Sequence, residues 1–363
     1  RFPALHEVVV EVDGEGGVNV VPGLQLLLPH LASFTSITEL NLRTQGLVSF
    51  PVSLCALAGL KKLDLYGNKI AVLPDAIGDL TELTGLYVGG NQLTALPDTL
   101  GALTRLTELW AYHNKLTTLP DSIAALTQMK KLYLFGNKFT TLPKPIVKLT
   151  SLTTLYLSSN QLVALPDSIA ALTALEKLDL GWNKIATLPD AIGDLTELTV
   201  LNVGSNLLTA LPGTLGTLTG LTHLFAHNNK LTTLPESIAA LSQMKTLLLM
   251  GNKFTAFPKT IVKLASLTEL GISLNQLATL PDSIAALTAL KTLDLNNNKF
   301  ATLPKPIVKL TTLTELNLSF NQLVTLPNSC AALTALETLH LNNNTFTALP
   351  KPIVKLTSLT KLV

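Results

Sequence analysis

Charge is scarce in this sequence. Asp, Glu, Lys and Arg make up 14% of its 363 residues, whereas average soluble proteins carry roughly 25%. The formal net charge is only +2, so nothing in the overall charge indicates a nucleic acid or another polyanion as partner. Thr, Ala, Ser, Asn and Gln must cover most of the surface instead.

Cysteine is nearly absent too. Cys55 and Cys330 are the only two in the chain, which is too few for a disulfide framework, and no metal-binding Cys/His spacing is present. Cys330 stands where the recurring stretch "PDSIAAL" has Ile, so we predict that it is a small buried hydrophobic residue. No run of eighteen apolar residues occurs, which excludes a recognisable membrane-spanning helix.

What the sequence has in abundance is one repeating unit. An Asn recurs every 23 residues from Asn68 to Asn344, and Gln45 stands at the corresponding place one unit earlier. Each unit reads L-x-x-L-x-L-x-x-N-x-L-x-x-L-P-x-x-I-x-x-L-x-x, and positions are numbered below from its first Leu. Such units bury their apolar side only by stacking on their neighbours, so the period decides the architecture.

Each unit contains one strand signal and one helical signal. The "LxL" stretch alternates with period two, which predicts a short strand with its leucines inward. After the Pro, Ile284, Leu287 and Leu290 are spaced by threes, which predicts one or two turns of helix or 3₁₀ helix. In "PKPIVKL" the second Pro, as at Pro306, predicts a shorter and more irregular turn.

The recurring Asn needs a structural reason, because no apolar core prefers it. After each strand the chain turns inward, where backbone N–H and C=O groups would be buried without partners. An amide side chain both donates and accepts hydrogen bonds. We therefore predict that the Asn series forms a ladder that pairs the turns of neighbouring units.

These residues together resemble the leucine-rich repeat family, in phase from about Ile37 to Leu359. The 23-residue unit with "LPxxI" is most similar to the Ras-group-related or Scribble-like class and to repeat regions of some bacterial proteins. The resemblance implies a horseshoe with a concave β-sheet that usually binds a protein partner. From the unbroken 23-residue phase we predict a monomeric, right-handed α/β solenoid with about fifteen strands in one parallel sheet and short helices or 3₁₀ turns on the convex side.

The chain is predicted to have two parts. Residues 1–36 depart from the repeat, and "EVVVEVDGEGGVNVV" reads as two strands around a Gly-rich turn, a cap over the first repeat's open edge. Residues 37–363 hold about 14 repeats and a partial last one. The start at Arg1 and the end inside a repeat indicate a trimmed piece. The absence of cysteine caps favours an intracellular setting, with a secreted or surface setting as the alternative.

Five positions of the strand segment, the third, fifth, seventh, eighth and tenth, should point outward on the concave face. The framework does not demand aromatic residues there, yet every Tyr and Trp of the chain falls on them. Tyr and Trp dominate interface hot spots, although aromatic residues are also simply good strand formers. The predicted partner-binding residues are Tyr66, Tyr87, Trp110, Tyr112, His113, Tyr133, Phe135, Tyr156 and Trp182. Four of these, Tyr87, Trp110, Tyr133 and Tyr156, occupy the fifth position of successive units and should stack in one row about 15 Å long.

A duplicated block sharpens this prediction. "LPDAIGDLTELT" begins at Leu73 and again at Leu188, an offset of 115 residues or five units. Over four units of the two copies, seven of forty positions differ in the segments after each Pro, but fourteen of twenty outward positions differ. The strand side has diverged while the other side was kept, which indicates two distinct surface patches.

Catalytic and metal signals are weak. His223 and His227 should lie about 13 Å apart on their strand, too far for one metal, and no nucleophile, base and orienting acid stand out. No cofactor is indicated. Lys residues after the ladder Asn should form a solvated rim, able to steer an acidic partner weakly.

We therefore expect a non-enzymatic recognition module that binds a protein or peptide on the concave face, with no nucleic acid. The alternative is a structural or surface protein that adheres to a polymer or regular surface through its Thr/Asn-rich faces. An enzyme would need a further domain.

Overall fold

The structure is a computed structural model that describes residues 7–9, 36–348 and 350–363. It divides into two compact units, Arg1–Asp179 and Leu180–Val363, which are described one after the other. In both, each repeat contributes a short strand and a five-residue 3₁₀ helix. The predicted fold class, a leucine-rich repeat solenoid with a parallel sheet, is confirmed.

In the first unit the strands follow one another at intervals of one repeat and pair in parallel with their sequence neighbours. The register is constant, so that Leu86 of one strand lies opposite Leu109 of the next. The strands are β1 (Glu7–Val9), β2 (Glu39–Asn41), β3 (Lys62–Asp64), β4 (Gly85–Tyr87), β5 (Glu108–Trp110), β6 (Lys131–Tyr133), β7 (Thr154–Tyr156) and β8 (Lys177–Asp179). The 3₁₀ helices are η1 (Val52–Ala56), η2 (Asp75–Asp79), η3 (Asp98–Ala102), η4 (Asp121–Ala125), η5 (Lys144–Lys148) and η6 (Asp167–Ala171).

The second unit repeats this arrangement, again with parallel pairing of sequence neighbours, as between Leu224 and Leu247. Its strands are β9 (Val200–Asn202), β10 (His223–Phe225), β11 (Thr246–Leu248), β12 (Glu269–Gly271), β13 (Thr292–Asp294), β14 (Glu315–Asn317), β15 (Thr338–His340) and β16 (Lys361–Leu362). Its 3₁₀ helices are η7 (Asp190–Asp194), η8 (Gly213–Thr217), η9 (Glu236–Ala240), η10 (Lys259–Lys263), η11 (Asp282–Ala286), η12 (Lys305–Lys309), η13 (Asn328–Ala332) and η14 (Lys351–Lys355).

The turn after each Pro is a 3₁₀ helix because its closing bond spans three residues. In η2, for example, the N–H of Leu80 donates to the carbonyl of Ile77. The prediction that a second Pro shortens this turn is wrong. Helix η5 contains Pro145 and has five residues, as η4 does. Pro145 lies in the first turn of the helix, where its missing N–H has no partner to lose, and it is buried.

The leucine framework fills the interior of each unit. Leu109 and Ala111, at the fourth and sixth positions of one repeat, are fully buried, as is Ile123 of the following 3₁₀ helix. The side chains between them, such as Trp110, are only partly buried and lie on the opposite face of the sheet. We call this outward face, formed by positions three, five, seven, eight and ten, the strand face.

The predicted Asn ladder is confirmed. Asn137 donates from its Nδ2 to the carbonyl of Leu134 in its own repeat and of Ala111 in the preceding repeat, both at 3.0 Å. Its Oδ1 accepts the N–H of Leu116 at 3.0 Å. Corresponding contacts recur in both units, as at Asn91 and Asn206, and the ladder Asn side chains are mostly buried. An Asn with these contacts satisfies three backbone groups that water cannot reach.

A second ladder, which we did not predict, runs through the second position. Thr107 donates from its hydroxyl to the carbonyl of Thr84 at 3.0 Å, and Thr84 does the same to Lys61 at 3.1 Å. In the second unit Thr222 donates to Thr199 at 2.9 Å. The abundant Thr therefore has a structural use just before the strands.

The eighth position adopts left-handed backbone geometry in repeat after repeat. Gly or Asn suits this conformation, and several repeats have them there, including Gly136 and Asn228, with φ of 67° and 50°. Trp182, Leu274 and Phe320 adopt it as well, with φ between 53° and 55°. For a residue with a bulky side chain, this conformation is less stable than the right-handed one by about 1–2 kcal/mol.

Both cysteines are free and buried, as predicted for Cys330. Burial and, secondarily, the charge of Asp79 raise the pKa of the Cys55 thiol to about 11. Burial also raises the pKa of Cys330. Both thiols are therefore protonated at neutral pH and poor nucleophiles.

The predicted cap over residues 1–36 falls mostly on residues outside the described ranges. Its described part, β1, pairs in parallel with β2, with Val8 opposite Leu40. The Gly-rich turn at 13–17 lies outside the described residues. The boundary between a cap and repeats from residue 37 remains a prediction.

The ladder predicts a clear difference between two adjacent substitutions. Asn252 donates to the carbonyls of Ala226 and Leu249 and accepts from the N–H of Leu231. Asn252→Leu leaves these buried groups unpaired, at a cost of about 1–3 kcal/mol for each. Lys253→Ala changes an exposed side chain and should alter stability by about 0.5 kcal/mol or less. Urea denaturation midpoints compare the two variants, and equal midpoints would contradict the structural role of the ladder.

Candidate functional site

Eight of the nine predicted binding residues lie together on the strand face of the first unit. Their rings are in mutual contact from β3 to β7, and most are partly buried by one another. We call this group the aromatic cluster: Tyr66, Tyr87, Trp110, Tyr112, His113, Tyr133, Phe135 and Tyr156. Its role in binding remains a prediction, but the structure shows that these side chains form one continuous surface.

The fifth-position row is in continuous ring contact as predicted, but only two of its three pairs are stacked, because Tyr87 meets Trp110 edge-on at an interplanar angle of 62°. The ring centroids of Tyr87 and Trp110 are 4.6 Å apart, those of Trp110 and Tyr133 are 5.3 Å apart, and those of Tyr133 and Tyr156 are 4.9 Å apart. The last two pairs are nearly parallel, with interplanar angles of 29° and 12°. Parallel strands in constant register hold equivalent side chains about 4.8 Å apart, which is the spacing that stacked rings need.

A second row runs beside the first through the seventh and eighth positions. Tyr112 stacks on Phe135 with centroids 4.4 Å apart and an interplanar angle of 8°. His113 meets the edge of Phe135 at 5.0 Å, and Tyr66 lies 5.7 Å from Tyr112. Trp110 joins the rows through a contact of 6.4 Å with Tyr112.

Gly85 and Gly89 have no side chains, and the rings of Tyr87 and Tyr112 occupy the space that side chains there would fill. A Cβ on Gly85 would lie 2.6 Å from the hydroxyl of Tyr87, and one on Gly89 would lie 2.9 Å from the ring of Tyr112. Any other residue at these two positions would displace the rings. The sequence reasoning missed both glycines, although their shared signal was visible: the unit that starts at Leu83 has Gly at three outward positions, including Gly90.

Charged side chains border the cluster and are paired with one another. The guanidinium of Arg43 lies 4.7 Å from the centroid of the Tyr66 ring and 3.4 Å from Asp64. On β5, the carboxylate of Glu108 forms a salt bridge with the ammonium group of Lys131, with 2.8 Å between Oε1 and Nζ. These residues occupy outward positions too, but no sequence signal distinguishes them, because their partners come from neighbouring repeats.

Burial raises the pKa of several tyrosines in the cluster. For Tyr87 the pKa rises to about 12, first because burial disfavours the phenolate and then because Glu108 is close. Its hydroxyl donates to Glu108 at 3.3 Å. The pKa values of Tyr112, Tyr133 and Tyr156 are raised, mainly by burial. At neutral pH the cluster therefore presents neutral phenols that donate hydrogen bonds.

One polar atom inside the cluster has no partner. The indole Nε1 of Trp110 is buried and makes no hydrogen bond within the described residues. A buried donor of this kind costs about 1–3 kcal/mol. Its position at the centre of the cluster, between Tyr87 and Tyr133, distinguishes this ring from an ordinary packed side chain.

Trp182 is the predicted residue that the structure does not bring into the cluster. It belongs to the second unit, its side chain is 65% exposed, and no ring contact is described for it. The second copy of the duplicated block also lacks an equivalent cluster among its described ring contacts. There, His223 and Phe225 form a single tilted pair at 6.2 Å, and Leu248 and Gly271 replace Tyr133 and Tyr156.

Within the described residues, no three His, Cys, Asp or Glu side chains lie together in a way that could hold a metal ion. This includes the surroundings of His223 and His227. The same ranges contain no helix with the length and apolar character needed to cross a membrane.

Comparison with known proteins places the chain in a family. The model described as "Leucine-rich repeat region" matches residues 24–132 and 259–363, and the model described as "Leucine rich repeat" matches residues 150–208 and 196–254. No curated protein sequence matches the chain.

Solved structures with the same fold come from bacteria and plants. The leucine-rich repeat protein LIC12759 of Leptospira interrogans is 36% identical, with a TM-score of 0.80 over 93% of this chain and 91% of that one. An internalin, inlF, of Listeria monocytogenes is 27% identical, with a TM-score of 0.76 over 85% and 87%.

A third similar structure is a plant receptor bound to a ligand. It is the leucine-rich repeat ectodomain of the Arabidopsis thaliana receptor kinase GASSHO1/SCHENGEN3, solved in complex with CASPARIAN STRIP INTEGRITY FACTOR 2. It is 28% identical, with a TM-score of 0.59 over 92% of this chain and 48% of that one. Folds of this kind often serve as protein-interaction modules. The matched family models and the 36% identity to a repeat protein of nearly equal extent show that this chain belongs to the leucine-rich repeat family.

Proposed function

We propose that the chain is a non-catalytic recognition module whose aromatic cluster binds an extended segment of a protein or peptide. The observation that carries this proposal is the continuous contact of eight aromatic and His side chains on one sheet face. Large aromatic side chains supply much contact area at small entropic cost, and they are typical anchors of protein interfaces. We propose that this sheet face of the first unit is the concave side that the family resemblance implies.

The orientation of the rings favours a peptide over a flat ligand. In the fifth-position row, Tyr133 is stacked between Trp110 and Tyr156, so its edge and its hydroxyl group are left for a partner. A sugar ring or a nucleobase needs a free aromatic face on which to stack. Apolar side chains and backbone carbonyls of a peptide instead suit edges that carry phenol donors.

The environment of Trp110 supports the same assignment. Its unpaired Nε1 can gain an acceptor if a partner's carbonyl enters between the rings. The rings of Tyr87 and Tyr112 fill the space beside Gly85 and Gly89, so a partner would contact these rings and not the backbone of the strand.

Adhesion to a polymer or regular surface is the second candidate function. Its support is that Thr117, Thr118, Thr140 and Thr141 are exposed at corresponding places of successive repeats. Against it, the strand face differs strongly between the two copies of the duplicated block, whereas a regular lattice calls for a uniform face.

The two copies of the duplicated block share one repeat fold but differ at the cluster positions, so residues of the second copy can replace those of the first without loss of the fold. The second copy has Phe225 where the first has Trp110, and Leu248 where it has Tyr133. Peptides selected from a random display library against the whole chain should lose about tenfold or more in affinity for the Trp110→Phe/Tyr133→Leu variant. The matched control is Phe225→Trp/Leu248→Tyr, which should leave their binding unchanged.

Calorimetric titration of the selected peptides checks this expectation. Peptides that bind the Trp110→Phe/Tyr133→Leu variant as tightly as the parent, but lose binding to Lys148→Glu in η5, would place the site on the other side of the repeat. If no peptide is enriched and the chain instead adheres to cellulose or chitin, the second candidate function is correct.

The alkaline pH dependence tests the packing of the row. Because folding raises the pKa of Tyr87 to about 12, its contribution to stability is complete below the unfolded pKa of about 10 and is lost as pH rises through about 12. Tyr87→Phe removes this ionisation and should flatten the fall in stability in that window. Urea unfolding across the window measures it, with Tyr66→Phe as control, and identical pH profiles for parent and Tyr87→Phe would argue against a buried phenol.

A further inference from the structure

The second unit carries exposed apolar side chains at a place where the backbone disfavours them. Trp182, Leu274 and Phe320 occupy the eighth position of their repeats and are 65%, 52% and 50% exposed. All three have left-handed φ values, which cost stability for bulky residues. Other repeats of the same unit have Asn there, as at Asn297, which tolerates this conformation far better.

Burial does not compensate this cost, since the side chains project into solvent. Residues held in a strained conformation cluster at functional sites. Single exposed apolar residues are ordinary on protein surfaces, but here three of them recur at the one position where the backbone is strained. The three residues lie along one line, because the eighth position of each repeat follows the same end of its strand.

Basic residues accompany this line. The tenth position, two residues further on, holds exposed Lys in four repeats of the second unit: Lys184, Lys230, Lys253 and Lys299. From residue 182 to 345 the eighth and tenth positions contain no acidic residue. In the described part of the unit none of these ammonium groups forms an ion pair, although Lys299 donates to Gln276 at 3.2 Å. We call this line the apolar–basic edge: Trp182, Leu274, Phe320 and the four Lys.

We propose that the apolar–basic edge is a second interaction surface, which binds an extended, acidic segment of a partner protein with apolar residues at matching intervals. This proposal does not depend on the aromatic cluster, which belongs to the first unit. The absence of acidic residues on the edge favours a partner of negative charge. The three apolar side chains supply anchors.

The intervals define the partner further. Leu274 lies four repeats beyond Trp182, and Phe320 lies two repeats beyond Leu274, which corresponds to about 19 and 10 Å at strand spacing. A segment in the extended polyproline II conformation rises about 3.1 Å per residue and has three residues per turn. Its apolar side chains should therefore recur after about six and then three residues, which places all of them on one face.

At the eighth position, Ser205 and Asn228 lie between the first two anchors. At the tenth position, the exposed Leu207 lies between Lys184 and Lys230. Apolar groups thus alternate with polar and basic ones, an arrangement that suits a peptide better than insertion into a membrane.

A synthetic peptide with Leu or Phe at these intervals and Glu and Ser elsewhere tests the proposal. In a Trp110→Phe background, Trp182 is the only Trp of the chain, and its fluorescence should shift to the blue and saturate as the peptide covers it. Leu274→Asn/Phe320→Asn should weaken binding about tenfold or more and leave the reporter intact. The matched control is Val354→Asn, which changes an exposed apolar residue of η14 and should bind normally.

Stability and charge give two further readouts. Since Asn accepts the left-handed conformation, Leu274→Asn/Phe320→Asn should raise the thermal midpoint, which separates lost binding from misfolding. Lys253→Glu should weaken the binding of the acidic peptide, whereas Lys309→Glu in η12 should leave its binding unchanged.

Three results would overturn the proposal. The first is failure of the peptide to bind or to shift Trp182, and the second is equal binding of a peptide with Lys in place of every Glu. The third is sedimentation of the chain with vesicles of phosphatidylcholine and phosphatidylserine without peptide binding, which would assign the edge to a membrane surface.

Discussion

Backbone groups that turn into the interior after each strand must find partners there, and the ladder Asn supplies them. One amide side chain pairs with carbonyls of its own and the preceding repeat and with an N–H of the preceding repeat, as Asn137 shows. A leucine at the ladder position could not do this, because it would fill the same space and leave the backbone N–H and C=O groups without partners. The spacing of the repeats, the constant strand register and the left-handed eighth position all depend on this arrangement.

The ladder and the leucine framework leave the strand face free to vary. Its outward side chains take no part in the buried hydrogen bonds, so substitution there costs the fold little. The two copies of the duplicated block illustrate this separation, because most differences between them fall on outward positions. Because the strand register is constant, residues at the same position of successive repeats lie side by side, one strand apart. A residue type that recurs at one position therefore forms a row on the surface.

Two kinds of surface have arisen in this way. In the first unit, residues at several outward positions meet as the aromatic cluster, supported by Gly85 and Gly89 and bordered by the Arg43–Asp64 and Lys131–Glu108 pairs. In the second unit, exposed apolar and basic residues share one line beyond the strand ends. The cluster hides much of its aromatic surface within itself, whereas the edge keeps its apolar groups in solvent at a cost in backbone energy.

The sequence by itself determined the fold and the ladder, since a strict 23-residue period with apolar, Asn and Pro positions allows only one way to bury the leucines. It also located the aromatic candidates, because outward positions follow from strand alternation. It did not determine that Trp182 stands apart from the other eight, that Glu108 receives the Tyr87 hydroxyl, or that Thr107 continues a ladder from Thr84. These contacts join residues one or more repeats apart, and ring orientation, burial and backbone φ arise only once the repeats are stacked, so only the tertiary structure could decide them.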